Sequence, residues 1–255
     1  MATSTSGGSG EAHAWYREWF DSPYYHKLYF ERNDEEAAGF ISRLLSVLNP
    51  RPGSKMLDVA CGRGRHSRIL AEYGYDVTGI DLAARSIAFA RQYETEHLHF
   101  YQHDMRSIFF TNYFDMAFNF FTSFGYFRTK RENDNAIRSV RLSLKAGGIL
   151  VLDYLNVQYS LDHFVPESVK DIDGVIYHLS KWYDETHFYK RIFIEDPSLE
   201  NPLEYTEKVA RFTLEDFNAM FDREGLRVEH VYGSYTMEPF DRKESPRLLL
   251  IARAI

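Results

Sequence analysis

The sequence predicts an α/β protein: an open twisted sheet, mostly parallel, with helices on both faces and a final antiparallel strand. Three observations predict it. Between residues 55 and 155 short apolar runs alternate with helical periodicities, and that order implies a parallel sheet joined by right-handed crossovers. The first run, Met56–Ala60, stops at a glycine-rich turn, Cys61-Gly62-Arg63-Gly64, which opens a helix. Acidic residues then stand where strands end, the edge at which such sheets bind ligands.

Each element follows from its own pattern. Residues 14–30 are rich in Trp and Tyr, and Pro23 breaks any continuous helix there. Glu35–Leu48 repeats Ala37, Phe40, Ile41, Leu44, Leu45 and Leu48 along one helical face, and Pro50 follows its end. Strands are expected at Met56–Ala60, Asp76–Ile80, His97–Tyr101, Phe114–Phe120 and Ile149–Leu155. Helices are expected at Arg65–Tyr73, Ala84–Glu94 and Lys130–Leu144, the last ended by Gly147-Gly148. After Asn156 the rhythm changes. Val175–Tyr183, His187–Ile194 and Leu203–Arg211 alternate as strands, with Asp184-Glu185-Thr186 as a turn, so a small antiparallel insertion follows strand five. Thr213–Arg223 reads as a helix whose Thr213 and Asp216 suit a capping box, and Arg227–Tyr232 and Arg247–Ala252 make a final strand pair.

Bulk properties narrow the function. With 255 residues, 44% of them hydrophobic, the chain can bury one enlarged core or one domain with an insertion. A net charge of −7 and no Lys/Arg run give no electrostatic reason to bind nucleic acid. No apolar run approaches a membrane span, and the Ser/Thr/Gly-rich start lacks the apolar centre of a signal peptide. The single cysteine, Cys61, excludes an intramolecular disulfide and is compatible with a reducing cytoplasm. The chain is therefore expected to be cytoplasmic, with a small-molecule substrate, no nucleic acid, no membrane, and a monomeric or homodimeric state.

The glycine turn carries the most chemistry. Gly62 and Gly64 permit torsions that a side chain penalises and let a ligand lie against bare main chain. The following helix presents unpaired N–H groups. Asp58 precedes the turn and Asp81 ends the next strand, a layout that suits an adenosine-containing cofactor.

Here the chain resembles the class I S-adenosylmethionine-dependent methyltransferases, of the small-molecule type, strongly over residues 36–154 and weakly over the last forty or so. Asp58-Val-Ala60-Cys61-Gly62-Arg-Gly64 is similar to that family's first motif, with Ala60 where many members have glycine. The resemblance implies a Rossmann-like sheet and S-adenosyl-L-methionine as cofactor. Asp58, Ala60, Cys61, Gly62 and Gly64 would hold the methionine part, Asp58 binding its ammonium directly or through water. Asp81, followed by Leu82, would accept both ribose hydroxyls. In His103-Asp104-Met105 the acid would accept from the adenine amino group, and the N–H of Met105 would meet the ring. Asn119 and Phe120 occupy the segment whose backbone faces the methionine. It further implies a methyltransferase domain over residues 14–255 after a flexible tail at 1–13. Residues 14–50 would form a helical cover, and 157–212 the insertion, a substrate cover or dimer contact.

The alternatives are a NAD(P)-binding oxidoreductase and a non-catalytic domain that binds S-adenosylmethionine. The first shares the strand, glycine turn and ribose acid, but Asp58 would point into a pyrophosphate loop and Ser67 stands where its fingerprint wants Gly or Ala. Cys61 lacks an obvious base, and the ten histidines show no metal-ligand grouping, so no metal is assigned. The catalytic residue stays unknown: His163, Tyr126 and Asp153 are candidate bases, each equally suited to a structural role. Tyr24, Ser123 and Tyr126 are the candidate substrate residues. Tyr16, Phe20, Tyr24, Tyr25 and Tyr29 are read equally as a lid or as a hydrophobic staple. Trp182, Tyr177, Tyr183 and Tyr189 would line the insertion or dimerise through it, as in sugar-amine and glycine N-methyltransferase-like enzymes, which the insertion resembles in architecture.

Overall fold

The computed structural model describes residues 15–29 and 34–255, so the expected tail at 1–13 lies outside the described residues. Two short helices, α1 (Trp15–Phe20) and α2 (Pro23–Leu28), precede a longer one, α3 (Asp34–Leu48). Pro23 does split the first two. It sits in the first turn of α2, where its missing N–H costs nothing, and the Ser22 hydroxyl caps that helix by accepting from the Tyr24 N–H at 3.2 Å.

The alternating segment then runs β1 (Lys55–Val59), α4 (Arg65–Glu72), β2 (Asp76–Asp81), α5 (Ala84–Ala90), β3 (Leu98–Gln102), β4 (Phe114–Asn119), α6 (Lys130–Ser143) and β5 (Leu144–Leu155). After a short helix, α7 (Val157–Asp162), come β6 (Glu167–Ile172), β7 (Val175–Tyr183), β8 (His187–Glu195) and β9 (Leu203–Ala210). The chain closes with α8 (Leu214–Arg223), β10 (Leu226–Tyr232) and β11 (Arg247–Ala254). Strand order in the large sheet is β10-β11-β5-β4-β1-β2-β3, with β1 to β5 parallel and β11 antiparallel to both neighbours. Strand order reverses at β1, between β2 and β4, so the crevice above their carboxyl ends is the place for a ligand.

Side-chain alternation gives the sheet two cores. Leu57, Val59, Leu150, Leu152, Leu248 and Leu250 pack with α6 and α8 on one face. Met56, Val77, Phe100, Val151, Leu249 and Ile251 pack with α3, α4 and α5 on the other. A third core joins the N-terminal helices to the small sheet, β6-β7-β8-β9, where Trp19 and Leu28 meet Tyr177, Ile192 and Ile194.

The structure differs from the sequence reading at three places. Strand five begins at Leu144, not Ile149. Phe114 pairs with Leu144 but Met116 with Ile149, so Gly147-Gly148 extrudes a bulge inside the strand instead of preceding it. Gly147 adopts φ 73°, which glycine allows at little cost. The small sheet has a fourth strand, β6, whose exposed, charged sequence gives little apolar alternation to detect. The helix α7, capped by the Asn156 side chain, was also hidden by its brevity. Among the described residues no helix is long and apolar enough to cross a membrane.

Helix α8 carries the expected capping box: the Thr213 hydroxyl accepts from the Asp216 N–H at 3.3 Å, and Asp216 accepts from the Thr213 N–H at 2.9 Å. Thr213→Ala removes the cap and is expected to lower stability by about 1 kcal/mol, read from the urea midpoint.

Candidate active site

A cavity opens above the carboxyl ends of β1, β2 and β3, under α1 and α2. The sheet side supplies Ala60, Gly62, Ile80, Asp81, Leu82, Ala83, His103, Asp104 and Met105. The helices add Tyr16, Arg17, Phe20, Tyr25 and His26, and the segment after β4 adds Phe121, Ser123, Tyr126 and Phe127. The turn after β1 is left-handed at Ala60 (φ 60°), Gly62 (56°) and Gly64 (78°). Its glycines serve different needs. A Cβ on Gly62 would project into open space, so the main chain there is bare toward a ligand. One on Gly64 would lie 2.5 Å from the Phe100 ring, so Gly64 lets α4 seat against the sheet.

Three carboxylates surround this turn. Asp81 accepts from the Gly62 N–H and the Ala83 N–H, each at 2.8 Å, one on each oxygen. A carboxylate offers about four acceptor positions, so each oxygen keeps capacity toward the cavity. Burial raises its pKa above the usual carboxylate value. Asp104 is gripped by Arg106, whose Nη2 donates at 2.6 Å, and Arg106 also reaches Glu132 at 2.7 Å. Burial pushes Asp104 up, but the Arg106 guanidinium outweighs it and holds the acid below its ordinary value. Asp58 lies beneath the turn, 2% exposed, and accepts from the Ser67 hydroxyl at 2.6 Å. Burial first, relieved partly by Ser67, leaves its pKa pushed up to about 7. Beside it at the tip of β4, Asn119 donates through Nδ2 to the Val59 carbonyl at 3.0 Å. Its buried Oδ1 has no hydrogen-bond partner among the described residues. A buried acceptor without a partner at a strand tip is a donor-seeking environment.

The segment after β4 is strained. Phe121 and Thr122 are consecutive non-glycine residues at φ 57° and 56°. Asp153, fully buried at the end of β5, holds them: it accepts from the Phe121 N–H at 2.7 Å, the Tyr235 hydroxyl at 2.9 Å and Arg247 Nε at 2.8 Å. Its main-chain carbonyl accepts from the Thr122 N–H at 3.1 Å, and Arg247 donates to the Thr122 hydroxyl at 2.9 Å. Tyr126 donates to the Thr122 carbonyl at 2.6 Å, and burial drives its pKa well above that of a free phenol.

Tyr126 also lines a second recess, between the main sheet and the small one. There it meets Thr122, Arg247, Tyr159 and His163 on one side, and Lys181, Phe188, Tyr189, Lys190, Glu207 and Val209 on the other. Glu207 ties this wall to the N-terminal helices: it accepts from Trp19 Nε1 at 2.7 Å, from the Tyr29 hydroxyl at 2.8 Å and from Lys190 at 2.7 Å. Lys190 also contacts the Tyr29 hydroxyl. Burial raises the Glu207 pKa and the Lys190 ammonium pulls it down, with a net fall.

Residues 56–148 match the methyltransferase domain family model. YqeM of Bacillus subtilis (strain 168), named as a methyltransferase, is 30% identical over 200 residues, 74% of this chain and 81% of that one. The chain belongs to the class I S-adenosylmethionine-dependent methyltransferases. The dTDP-3-amino-3,4,6-trideoxy-alpha-D-glucopyranose N,N-dimethyltransferase of Streptomyces venezuelae is 28% identical over 220 residues, 82% of this chain and 91% of that one. In fold, an S-adenosylmethionine-dependent methyltransferase from Clostridium acetobutylicum ATCC 824 superposes with a TM-score of 0.76, at 18% identity, over 91% of this chain and 96% of that one.

The methyltransferase gathers most of its expected site residues at one place. Ala60, Gly62, Asp81, Leu82, Asp104, Met105, Ser123 and Tyr126 line the cavity. Asp58, Gly64, Asn119 and Phe120 are buried around the turn without lining it. Cys61 turns its side chain into the helix-side core, and burial raises its thiol pKa well above the ordinary value. Tyr24 points elsewhere, its hydroxyl donating to Asp196 at 2.8 Å. Of the candidate bases, Asp153 is consumed as an anchor and Tyr126 holds its proton firmly. His163 stacks on Tyr159 in the second recess at a ring separation of 4.0 Å. Among the insertion aromatics, Tyr189 lines that recess, while Tyr177 is buried against Tyr24. Among the described residues no group of three His, Cys, Asp or Glu could hold a metal.

Sequence reasoning missed His26, Arg106 and Glu207; the partners of His26 and Glu207 are distant in the chain, and Arg106 grips Asp104 two residues before it. His26 lies 3.2 Å from the Ser86 hydroxyl, and burial, then Arg63, lowers its pKa to about 4. An unfolded chain protonates this histidine near pH 6.5, so between pH 6.5 and 4 the unfolded state binds more protons and stability falls as the pH falls. His26→Gln is expected to abolish about 1–3 kcal/mol of that loss, seen as a smaller change in urea midpoint from pH 6.5 to 4.5.

Proposed function

We propose that this methyltransferase acts on an amine nitrogen of a small-molecule acceptor, by in-line displacement. The observation that carries the reading is the convergence of Asp81, Asp104 and the bare main chain at Gly62 on one cavity beside an aromatic-walled recess. In this reading the Asp81 oxygens bind the ribose diol, and Asp104 and the Met105 N–H meet the adenine edge. Leu82 packs against the nucleoside. The left-handed turn from Ala60 through Cys61 and Gly62 to Gly64, with Asp58, Asn119 and the Phe120 backbone, holds the methionine end. Asp58, beneath that turn, meets its ammonium directly or through water, and the buried Asn119 Oδ1 adds a second acceptor at the tip of β4.

When bound, S-adenosylmethionine would supply an electrophilic methyl, taken up by a nitrogen lone pair as sulfur keeps the C–S bonding pair and the nitrogen loses a proton. The chain's task is positioning and exclusion of water. Trp15 and Phe20 pack edge-on against Tyr126 at 5.8 and 5.2 Å between ring centres, fixing it at the junction of cavity and recess. An amine is favoured over a hydroxyl because no described side chain at that junction is tuned as a strong base. Burial keeps Tyr126 a neutral phenol, so it carries no phenolate to take a proton. Helices α1 and α2 act as a cover and the insertion at 157–212 as the acceptor wall. The similarity to an amino-sugar N,N-dimethyltransferase supports the same class of acceptor atom.

Calorimetric titration should give saturable S-adenosylmethionine binding. Asp81→Ala is expected to weaken it about 10- to 100-fold, the worth of one or two charged hydrogen bonds. Unchanged affinity in that variant rules out the ribose assignment. In a mass-spectrometric screen of matched amines and alcohols, the methylated products are expected among the amines, and methylation of alcohols alone rules out the nitrogen assignment.

A further inference from the structure

We propose that the recess between Tyr126 and the small sheet receives the acceptor, and that Lys181 and Lys190 bind an anionic group on it, a carboxylate or a phosphate. This rests on the methyl-transfer reading above and deepens it. The recess adjoins the cofactor cavity, because Tyr126 walls both. It is cationic in a chain of net charge −7: Lys181, Lys190 and Arg247 line it against the single carboxylate of Glu207.

Strand register explains how the charges meet. Lys181 pairs with Lys190 across β7 and β8, and Lys190 pairs with Glu207 across β8 and β9. The three form one row on one face. Like charges directly opposite on neighbouring strands repel, and a fold keeps such a pair only when something compensates it. Glu207 compensates Lys190 at 2.7 Å, and its other oxygen is taken by Trp19 and Tyr29. Arg247 is spent on Asp153. Lys181 has no ion pair or side-chain hydrogen bond among the described residues. Burial, then Lys190, depresses its pKa, so the protein by itself leaves this ammonium under-compensated. An anion bridging the two lysines supplies the missing charge, and Phe188 and Val209 offer apolar surface for the rest of the molecule.

The test titrates the chain, saturated with S-adenosylhomocysteine, with paired probes in a calorimeter. The phosphate arm compares phosphoethanolamine with ethanolamine and glucosamine 6-phosphate with glucosamine. The carboxylate arm compares β-alanine with β-alanine amide. At least one anionic probe is expected to bind about tenfold or more tighter than its neutral partner, and the responding arm identifies the anion. Lys181→Met should remove that preference and Lys181→Arg should retain it, with S-adenosylhomocysteine affinity unchanged and melting temperature not lowered in either. No binding of any anionic probe, equal binding of the neutral partners, or an unaltered preference in Lys181→Met overturns the proposal. Failure of S-adenosylhomocysteine itself to bind overturns the cofactor reading instead.

Discussion

A charged group with no access to water governs the geometry of this molecule. The Asp153 carboxylate is fully buried, and such a charge is tolerable only when its oxygens are saturated with donors. It takes an N–H from Phe121, a hydroxyl from Tyr235 and the guanidinium of Arg247. These bonds hold Phe121 and Thr122 in a left-handed conformation that costs about 1–2 kcal/mol per residue. Ser123 and Tyr126, which face the cavity, follow directly on that strained pair. The antiparallel last strand has a purpose here. Because β11 begins where β5 ends, with Arg247 opposite Leu155 and Leu249 opposite Asp153, it delivers the arginine to the tip of the parallel sheet. A parallel strand in that place would carry its first residue to the opposite edge.

What could be read from the sequence was what local chemistry determines. The parallel strands are buried on both faces, so each appears as an apolar run, and a glycine turn with flanking acids marks where two of them end. Asp81 and Asp104 were found because their positions at strand ends suffice to place them at the cavity. Tyr24 was misjudged because its neighbours do line the cavity: within one helix Tyr25 and His26 face it, while Tyr24 turns outward to Asp196. Asp153 showed in the sequence only as an acid, with nothing to reveal that Arg247, 94 residues away, would claim it. The charged row on the small sheet was equally hidden, since its existence depends on the pairing register of three strands.

The two compartments differ in sign. Around the glycine turn the chain concentrates acids and one orphaned acceptor, while across Tyr126 it concentrates cations. Neither is expressed in the net charge, which averages them with the exposed surface. The separation is maintained by an aromatic partition in which Trp15, Phe20 and Tyr126 lie within 6 Å of one another between ring centres. Aromatic rings suit that duty because they exclude water while offering edge-to-face contacts that fix their orientation.

Helix α1 belongs to two interiors at once. Tyr16 packs into the core of the large sheet, and one turn later Trp19 is buried among the residues of the small sheet and bonded to Glu207. Six residues thereby rivet together bodies that are otherwise separate sheets. Six residues are too few to hold helical form by themselves, so α1 keeps its shape only through these two attachments. Loosening either attachment therefore disturbs the roof of the cavity as well, since Tyr16, Arg17 and Phe20 of the same helix line it.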